Sequence, residues 1–380
     1  MHTKFISWIK KILKKILGEK ISSFLSQKIY RKFQNQEKPD KTHFKIRFIF
    51  SRPLVSVILA SYNHEDYVEE AVLSVLQQGI DSLQLIVVDD GSKDGTADKV
   101  LRIKNKRIEL ICLKENRQYH PRNLALSIAQ GKYIAFQNSD DVWRENKLKK
   151  QLEILEKNQK LVACFTDVEI IGEKGEFLKD TWANGIFTKK NRNSVLWLRH
   201  FFDKGNCLCF PSSVIRKKSF QKIEMRLNPT LVQLSDFDLW IRLAAVGEFY
   251  ILDEPLTAMR IVPKKNLSAP SYFSQRRSEM ELMEVLERYI GWPVFPKVPE
   301  IFSDVLDPKN KSPVGILGGL AMYAWQLSPF HILLGNKIIS SILKNDSQRE
   351  KLVHLYGVKI IQTYFQKRGD LKILLGKDDV

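Results

Sequence analysis

The sequence predicts an α/β protein with a doubly wound, mostly parallel sheet and flanking helices. Between residues 53 and 145, short apolar runs alternate with stretches of helical periodicity, which is typical of parallel sheets covered by helices on both faces. Each apolar run ends directly on a polar turn that carries carboxylates or amides. Because parallel strands end at one edge of a sheet, we expect these polar side chains to meet there and to bind a ligand.

The elements of this region follow one another closely along the chain. Short length and apolar composition predict strands at Leu54–Ala60, Leu83–Val88, Ile108–Leu113 and Tyr133–Phe136. One helix is predicted to begin at Val68 and to stop at Gly79, a second to open at Asp94-Gly95-Thr96, and a third to span Pro121–Gln130. The region contains neither a GxxxxGK[ST] loop nor a GxGxxG turn. ATPases and dehydrogenases are therefore disfavoured, and a side chain such as Arg122 is expected to hold a pyrophosphate.

The stretch Tyr133–Trp143 (YIAFQNSDDVW) places the adjacent acids Asp140 and Asp141 directly after a strand. Two adjacent carboxylates repel each other, and a divalent cation makes their closeness favourable. The alternative is a solvated turn that caps the helix starting near Glu145, because Asp is a favoured capping residue. Acids at the ends of the neighbouring strands favour the metal site.

The N-terminal segment concentrates the positive charge of the chain. The formal net charge is +18, and residues 1–50 hold 13 lysines and arginines against 3 acids. In residues 1–33, apolar residues and lysines alternate in the pattern of an amphipathic helix that lies on an anionic membrane surface. The alternative is that this helix packs on the rest of the protein and its lysines face water. No nucleic-acid reading module is present. We expect residues 34–52 to be a linker, and the protein to be cytoplasmic and peripherally attached to the inner face of the cell membrane.

The second half of the chain is predicted to continue the domain and then to become helical. A helix is predicted at Lys147–Lys157, a strand at Leu161–Ile171, an irregular excursion at residues 172–205 and a helix at Leu234–Leu243. Residues 269–380 are predicted as a helical C-terminal region. The uncharged run Val314–Gly335 is long enough for a membrane span, but Ser328-Pro329 favours two helices, near residues 314–327 and 329–343.

The region from residue 53 to residue 268 resembles family 2 glycosyltransferases, which have the GT-A fold. The matching segments are VSVILASYN (Val55–Asn63), SVLQQ (Ser74–Gln78), IVVDDGSKDGT (Ile86–Thr96), RNLALSIAQGKYIAF (Arg122–Phe136) and NSDDVW (Asn138–Trp143). No single segment is specific, whereas their order and spacing are. The resemblance implies a nucleotide-sugar half at residues 53–145 and an acceptor half at residues 146–268.

The resemblance also implies how a nucleotide-sugar donor is bound. It assigns the uracil to Ala60, Tyr62, Asn63 and Asp90. It assigns the ribose and a bridging Mn²⁺ or Mg²⁺ to Asn138, Asp140 and Asp141. Asn138 stands where the family has an aspartate; its amide can still bond a ribose hydroxyl, but one negative charge for the metal is missing. Arg117, Gln118 and His120 are weaker candidates for donor specificity.

The catalytic group is expected at the start of the helix within Leu234–Leu243. The resemblance implies that Asp236 is the general base, with Asp238 as the second candidate, whereas helix capping is the ordinary role of such residues. Asp238 could instead bind the acceptor or stabilise the helix. Val262 stands about where many members of the family have a histidine. Either Arg260, Lys264 and Lys265 make phosphate or metal contacts in that loop, or the loop becomes ordered only when the donor is bound.

The expected function is inverting transfer of a sugar from a nucleoside diphosphate sugar, most simply a UDP-sugar, to a glycan or lipid-linked acceptor in surface polysaccharide synthesis. A sugar nucleotidyltransferase is one alternative, but it would normally carry a glycine-rich phosphate loop early in the chain. The other is a catalytically silent scaffold or membrane-binding protein, for which Asn138 leaves room.

Overall fold

A computed structural model describes residues 52–117, 121–187, 189–262 and 271–369. All of them belong to one compact unit. The predicted N-terminal membrane helix and most of the linker lie outside the described residues, as do Gln118, His120, Lys264 and Lys265.

Eight strands form one sheet: β1 (Val55–Ser61), β2 (Leu83–Asp89), β3 (Ile108–Cys112), β4 (Tyr133–Asn138), β5 (Val142–Trp143), β6 (Leu161–Ile171), β7 (Val214–Arg216) and β8 (Glu248–Arg260). Their order across the sheet is β3-β2-β1-β4-β7-β6-β8-β5. Strands β1 to β4 run parallel to one another, and β6 runs parallel to β8. The short strands β5 and β7 run antiparallel to their neighbours. The predicted, mostly parallel sheet is confirmed.

Thirteen helices are present among the described residues: α1 (Val68–Leu76), α2 (Thr96–Arg102), α3 (Pro121–Ile128), α4 (Lys147–Lys157), α5 (Ser194–Lys204), α6 (Lys217–Gln221), α7 (Ser235–Ala244), α8 (Tyr272–Leu286), α9 (Val298–Ile301), α10 (Pro313–Ala324), α11 (Pro329–Leu343), α12 (Asp346–Tyr356) and α13 (Lys359–Gly369). The bounds of α4 agree with the prediction residue for residue, α11 matches the approximate range predicted for it, and α1 begins at the predicted Val68 but ends before the predicted stop at Gly79. Their apolar spacing and flanking turn residues are strong local signals.

The sheet is buried on both faces, as the continuous apolar composition of its strands predicts. Along β1, Ile58 packs into one hydrophobic cluster, whereas Val57 and Leu59 pack into the other. The first cluster also contains Trp197, Phe201 and many side chains of the C-terminal helices. The C-terminal helices therefore share a core with the sheet.

The structure corrects the expectation for residues 172–205. The last part of this stretch is helix α5, not an irregular excursion. The side chain of Asn193 caps α5 by accepting a hydrogen bond from the backbone N–H of Leu196 at 2.8 Å. Lysines, glycines and asparagines before the helix obscure its signal, although Trp197, Leu198 and Phe201 recur at helical spacing on its buried face.

The run Val314–Gly335 forms parts of two helices, α10 and α11, as predicted. The turn between them contains Ser328, and Pro329 is the first residue of α11. Across the described part of the chain, no helix has both the length and the apolar character needed to cross a membrane.

Candidate active site

The carboxyl ends of three adjacent strands meet at one edge of the sheet. In the strand register, Ser61 lies opposite Asp89, and Ala60 lies opposite Asn138. The turns after β1, β2 and β4 are therefore neighbours in space, although they are about 30 to 75 residues apart in sequence. This edge is where open α/β sheets bind ligands.

The turn after β1 is fastened to the turn after β2. The Asn63 side-chain oxygen accepts a hydrogen bond from the backbone N–H of Lys93 at 2.8 Å, and the Asn63 N–H donates to Ser92 Oγ at 2.9 Å. Asn63 has a φ of +50°, a left-handed conformation that asparagine tolerates. Tyr62 beside it is 40% exposed, so its ring is accessible to a ligand.

The adjacent acids Asp89 and Asp90 have different surroundings. Asp89 accepts hydrogen bonds from the backbone N–H and the hydroxyl of Ser92, and from the hydroxyl of Ser61. Asp89 therefore shapes the turn. Asp90 accepts from the backbone N–H of Arg117 at 3.1 Å and is held by its own N–H, which donates to the Ser61 carbonyl. The structure thus brings Asp90 next to the turn that carries Tyr62 and Asn63.

A glycine is needed between these acids and the turn that follows them. Gly91 has a φ of +73°, and a Cβ atom there would lie 2.5 Å from the backbone carbon of Glu115. Any side chain would force apart the turns after β2 and β3. The close approach keeps Asp90 at the edge of the sheet.

The side chains of Asn138 and Asp141 form one hydrogen-bonded group with Arg122. Arg122 Nη2 donates to Asn138 Oδ1 at 3.0 Å, and Asn138 Nδ2 donates to Asp141 Oδ2 at 2.8 Å. The other Asp141 oxygen accepts the backbone N–H of Arg260 at 2.8 Å. Burial, together with the charge of Asp140, raises the pKa of Asp141 well above its ordinary range.

The two acids of the Asp140-Asp141 pair therefore differ in role. Asp141 is 2% exposed, and both of its oxygens accept hydrogen bonds from the protein. Asp140 is only partly buried. Within the described ranges, no group of three or more histidine, cysteine, aspartate or glutamate side chains could hold a metal ion. A cation here would depend on Asp140 and on oxygens that a ligand or water supplies, as Mg²⁺ does when it binds phosphates.

Arg122 lies between the two halves of the site. Burial lowers its pKa, and the charges of four surrounding carboxylates oppose that shift, in the order Asp140, Asp236, Asp141 and Asp90. Its guanidinium carbon lies 5.2 Å from the centre of the Phe210 ring. Its Nε is buried and has no hydrogen-bond partner among the described residues. A buried guanidinium with an unused donor is suited to an anionic ligand at this place.

Asp236 stands in the first turn of α7, on the acceptor side of Arg122. Its Oδ2 accepts a hydrogen bond from Asn206 Nδ2 at 3.1 Å, and its Oδ1 accepts the backbone N–H of Phe237 at 2.7 Å. Burial raises the pKa of Asp236 to about 6, although these hydrogen bonds and the nearby Arg122 oppose the shift. A carboxylate with this pKa is ionised at neutral pH and is still basic enough to accept a proton.

Asp238, the second catalytic candidate, has a structural environment. Its side chain is 1% exposed and lies between two arginines, Arg242 and Arg288. Arg242 Nε donates to Asp238 Oδ2 at 2.8 Å, and Arg288 Nε donates to Oδ1. The assignment of Asp238 to catalysis or acceptor binding is therefore corrected: this carboxylate is enclosed in an ion-pair cluster that joins α7 to the C-terminal region.

Arg260 is also a structural residue, which corrects its candidacy for phosphate or metal contacts. It is 2% exposed, and its guanidinium donates to the backbone carbonyls of Asp140, Gly172 and Glu173 and to the side chain of Glu70. Its donors are used to hold the stretch around Asp140 in place. Val262, at the position of the family's histidine, is 3% exposed.

Comparison with known proteins identifies the family. Residues 56–223 match the model of glycosyl transferase family 2. An uncharacterized glycosyltransferase from Methanocaldococcus jannaschii, MJ1057, is 31% identical over 223 residues, which cover 57% of this chain and 73% of the relative. The chain belongs to glycosyltransferase family 2. The mixed sheet with its flanking helices is the GT-A fold that the sequence predicts for a member of this family.

Two further similarities concern a protein whose printed name gives its substrates and a protein of solved structure. The protein named UDP-Glc:alpha-D-GlcNAc-diphosphoundecaprenol beta-1,3-glucosyltransferase WfaP, from Escherichia coli, is 42% identical over 198 residues; the match covers 51% of this chain and 71% of WfaP. Among solved structures, Staphylococcus aureus TarS in complex with UDP-GlcNAc aligns with a TM-score of 0.47 and 18% identity, over 82% of this chain and 91% of that chain.

In this glycosyltransferase, sequence reasoning missed several residues that shape the site. Asn206 holds Asp236, and Phe210 packs against Arg122. His64 Nδ1 lies 2.8 Å from Ser139 Oγ and so ties the turn after β1 to the Asp140 stretch. His64 directly follows the matched segment Val55–Asn63, and this position next to the segment is the signal that could have found it. Asn206 and Phe210 carry no local signal, because their partners are distant in sequence.

Glu281 of α8 supports the start of helix α7 from the C-terminal region. Its carboxylate is buried and accepts three backbone N–H groups, those of Val232, Gln233 and Leu234, each at 2.8 Å. Leu234 is the last residue before α7, and its carbonyl accepts the N–H of Asp238 in the first turn of that helix. Glu281 therefore fixes the backbone that leads directly to Asp236.

Proposed function

We propose that this family 2 glycosyltransferase moves a sugar from a UDP-sugar to a hydroxyl of a lipid-linked or glycan acceptor, with inversion at the anomeric carbon. The observation that carries the proposal is the position of Arg122. It contacts Asn138 on the donor side, and its charge acts on Asp140, Asp90 and Asp236. The Arg122 guanidinium therefore lies near both the expected position of the diphosphate and the expected base, Asp236.

The donor site in this proposal is the edge formed by the turns after β1, β2 and β4. Asp90 accepts the imide N–H of the uracil, and Tyr62 covers the ring face. Ala60 and Asn63 complete the turn, and Asn138 meets the ribose. The printed name of WfaP gives UDP-Glc as the donor of that relative, which supports a uridine nucleotide here.

A divalent cation, Mn²⁺ or Mg²⁺, fits the donor set of this edge. Asp140 is the carboxylate that would hold it, and Asp141 would support Asp140 through the hydrogen bonds with Asn138 and Arg260. When bound, such an ion stabilises negative charge on a leaving diphosphate. Arg122 provides the fixed positive charge that the protein itself contributes to the same oxygens.

Asp236 activates the acceptor in the proposed reaction. It takes the proton of the acceptor hydroxyl while the hydroxyl oxygen attacks the anomeric carbon. The bond between that carbon and the diphosphate oxygen breaks, and UDP leaves with the electron pair. Attack from the face opposite the leaving group inverts the anomeric carbon. A positioned base of this kind typically contributes about 10²- to 10⁴-fold in rate.

The acceptor and the location belong to the same proposal. The name of WfaP gives a sugar linked through diphosphate to undecaprenol, a lipid, as its acceptor. A membrane-surface helix at residues 1–33 would bring this chain to such a lipid, and the sequence of that segment supports it. We expect sedimentation with anionic vesicles to be lost when residues 1–33 are deleted; unchanged sedimentation would contradict the membrane assignment.

Release of UDP tests the proposed reaction. The full chain is incubated with a panel of UDP-sugars and Mn²⁺, with and without a lipid diphosphate-linked sugar as acceptor, and UDP is quantified. We expect at least one donor to release UDP, faster with the acceptor. If no donor of the panel is bound and none releases UDP, the proposal is overturned. The protein would then be a catalytically silent scaffold.

A further inference from the structure

A small basic cavity lies outside the proposed donor and catalytic sites. It has a volume of about 200 Å³ and lies between the segment after α6, helix α7 and the turns that follow α8. Its lining includes four cationic side chains, Lys222, Arg226, Arg242 and Arg288, together with the acid Glu224. None of these residues is assigned to the donor, the metal or the base.

Two of the four cations form the structure of the cavity. Arg242 donates to Asp238 and to the backbone carbonyls of Ile223 and Arg226, at 2.8 Å and 2.9 Å. Arg226 pairs with Glu224 at 2.9 Å, and both side chains are largely exposed. An exposed pair of this kind contributes little and is readily exchanged for another anion.

The other two cations, Arg288 and Lys222, line the cavity with donors that the described residues do not use. Arg288 gives only its Nε to Asp238, and in the described part of the chain its terminal nitrogens have no hydrogen-bond or ion-pair partner. The same holds for Lys222 Nζ within those ranges. A forked guanidinium next to an ammonium matches an anion with several oxygens, which is the geometry of a phosphate group.

The size of the cavity and its apolar wall define the ligand further. At about 200 Å³, the cavity is smaller than the roughly 300–1,000 Å³ of sites that enclose a whole drug-sized ligand. It therefore suits a head group. Trp292 in the lining is 75% exposed, so its indole face is available to the part of the ligand that carries the phosphate.

We propose that the cavity between Lys222, Arg288 and Trp292 binds a phosphate group, carried either by a membrane lipid or by a soluble phosphate ester. The lipid source has one supporting contact. Asn228 of the lining donates to Glu284 of α8 at 2.7 Å, and α8 also exposes Phe273 and Met280, each at 79%. Exposed apolar side chains beside a cationic site are typical of protein surfaces that meet lipid head groups.

The test compares two charge reversals on the full chain, in the presence of saturating UDP so that the donor site is filled. Lys222→Glu alters the cavity, and Lys218→Glu makes the same charge change at an exposed position of α6 outside the lining. Inorganic phosphate is titrated by calorimetry. We expect Lys222→Glu to lower the affinity about tenfold or more, the effect of losing one charge-assisted hydrogen bond, and Lys218→Glu to leave it unchanged.

Vesicles then distinguish the two sources. Phosphatidic acid vesicles are compared with phosphatidylcholine vesicles for the unaltered chain, Lys222→Glu, Lys218→Glu and Trp292→Ala. If Lys222→Glu and Trp292→Ala selectively lose binding to the phosphatidic acid vesicles, the site belongs to a lipid phosphate. If binding is lost only in the titration of free phosphate, the site belongs to a soluble ester. The proposal is overturned if Lys222→Glu and Lys218→Glu bind equally well in both assays. It is also overturned if saturating UDP abolishes phosphate binding, because the phosphate would then occupy the donor site. Neither result bears on sugar transfer, which is tested separately.

Discussion

The side-chain amide of Asn138 donates a hydrogen bond to the carboxylate of Asp141 at 2.8 Å. The carbonyl oxygen of the same amide accepts Arg122. An amide is the side chain that can meet a carboxylate on one side and a guanidinium on the other. Asparagine at this position, where the family usually has aspartate, therefore satisfies Asp141 without adding a second buried negative charge.

Replacing this amide with a carboxylate should make stability depend on pH. In Asn138→Asp, two acids face each other, so one of them binds a proton at a raised pKa in the folded state. The folded protein then binds more protons than the unfolded chain, and stability falls as the pH rises through that pKa. We expect the melting temperature of Asn138→Asp to lie below that of the unaltered chain, and this difference to grow as the pH rises from 5 to 8. Asn138→Ala adds no charge and removes only the hydrogen bond that lowers the pKa of Asp141, so its deficit should grow less with rising pH than that of Asn138→Asp; equal growth of the two deficits would contradict the account.

Removing Asp140 should weaken donor binding only when metal is present. Asp140→Ala takes away the carboxylate that we assign to the cation, whereas Asp90 and the turn after β1 are unchanged. We expect the Mn²⁺-dependent increase in UDP affinity, measured by calorimetry, to be lost, with the affinity in EDTA unaltered. An undiminished response to Mn²⁺ would place the metal elsewhere.

The pKa of Asp236 predicts the acid limb of the pH-rate profile. Because burial raises this pKa to about 6, the base is lost to protonation as the pH falls through that value, and kcat/KM should decline there with unit slope. Asn206 donates to the ionised carboxylate, so Asn206→Ala should move the limb to higher pH. A limb that stays in place in the variant would indicate that another group titrates.

Glu281 should affect turnover more than donor binding. Glutamine at this position offers one acceptor oxygen where three backbone N–H groups now point, so Glu281→Gln should displace the start of α7. We expect kcat to fall about tenfold, the loss of roughly one to two charge-assisted hydrogen bonds, with the donor KM unchanged. Glu279→Gln is the matched control, because among the described residues Glu279 bonds only to Arg276 and Gln275 of its own helix. If the two variants change kcat equally, Glu281 does not position the start of α7.

The strands and the candidate acids were accessible from the sequence because each depends on a local pattern. The run that becomes β4 and the acids that follow it are contiguous, and so are β2 and Asp90. The sequence did not separate Asp140 from Asp141, and it ranked Asp236 above Asp238 only through the family resemblance. Those distinctions depend on partners far away in the chain: Arg260 lies 119 residues after Asp141, and Arg288 lies 50 residues after Asp238.

The C-terminal region shows the same limit. Its helices were predicted from periodicity and from the Ser328-Pro329 turn. Their contribution to the site was not, because Glu281 and Arg288 act through backbone groups and a carboxylate on elements that precede them by about 50 residues. Nothing within α8 itself distinguishes Glu281 from the other glutamates of that helix.

The central claim is that Asp236 is the base of an inverting transfer, and the substitution Asp236→Asn tests it most directly. Asparagine keeps the size of the side chain and removes its basicity. With the UDP-sugar that the panel identifies, transfer should fall between about 100-fold and 10,000-fold, while UDP affinity measured by calorimetry stays within twofold of the unaltered chain. Ser235→Ala, at the preceding position, is the control and should retain transfer. Transfer by Asp236→Asn at the rate of that control would contradict the account.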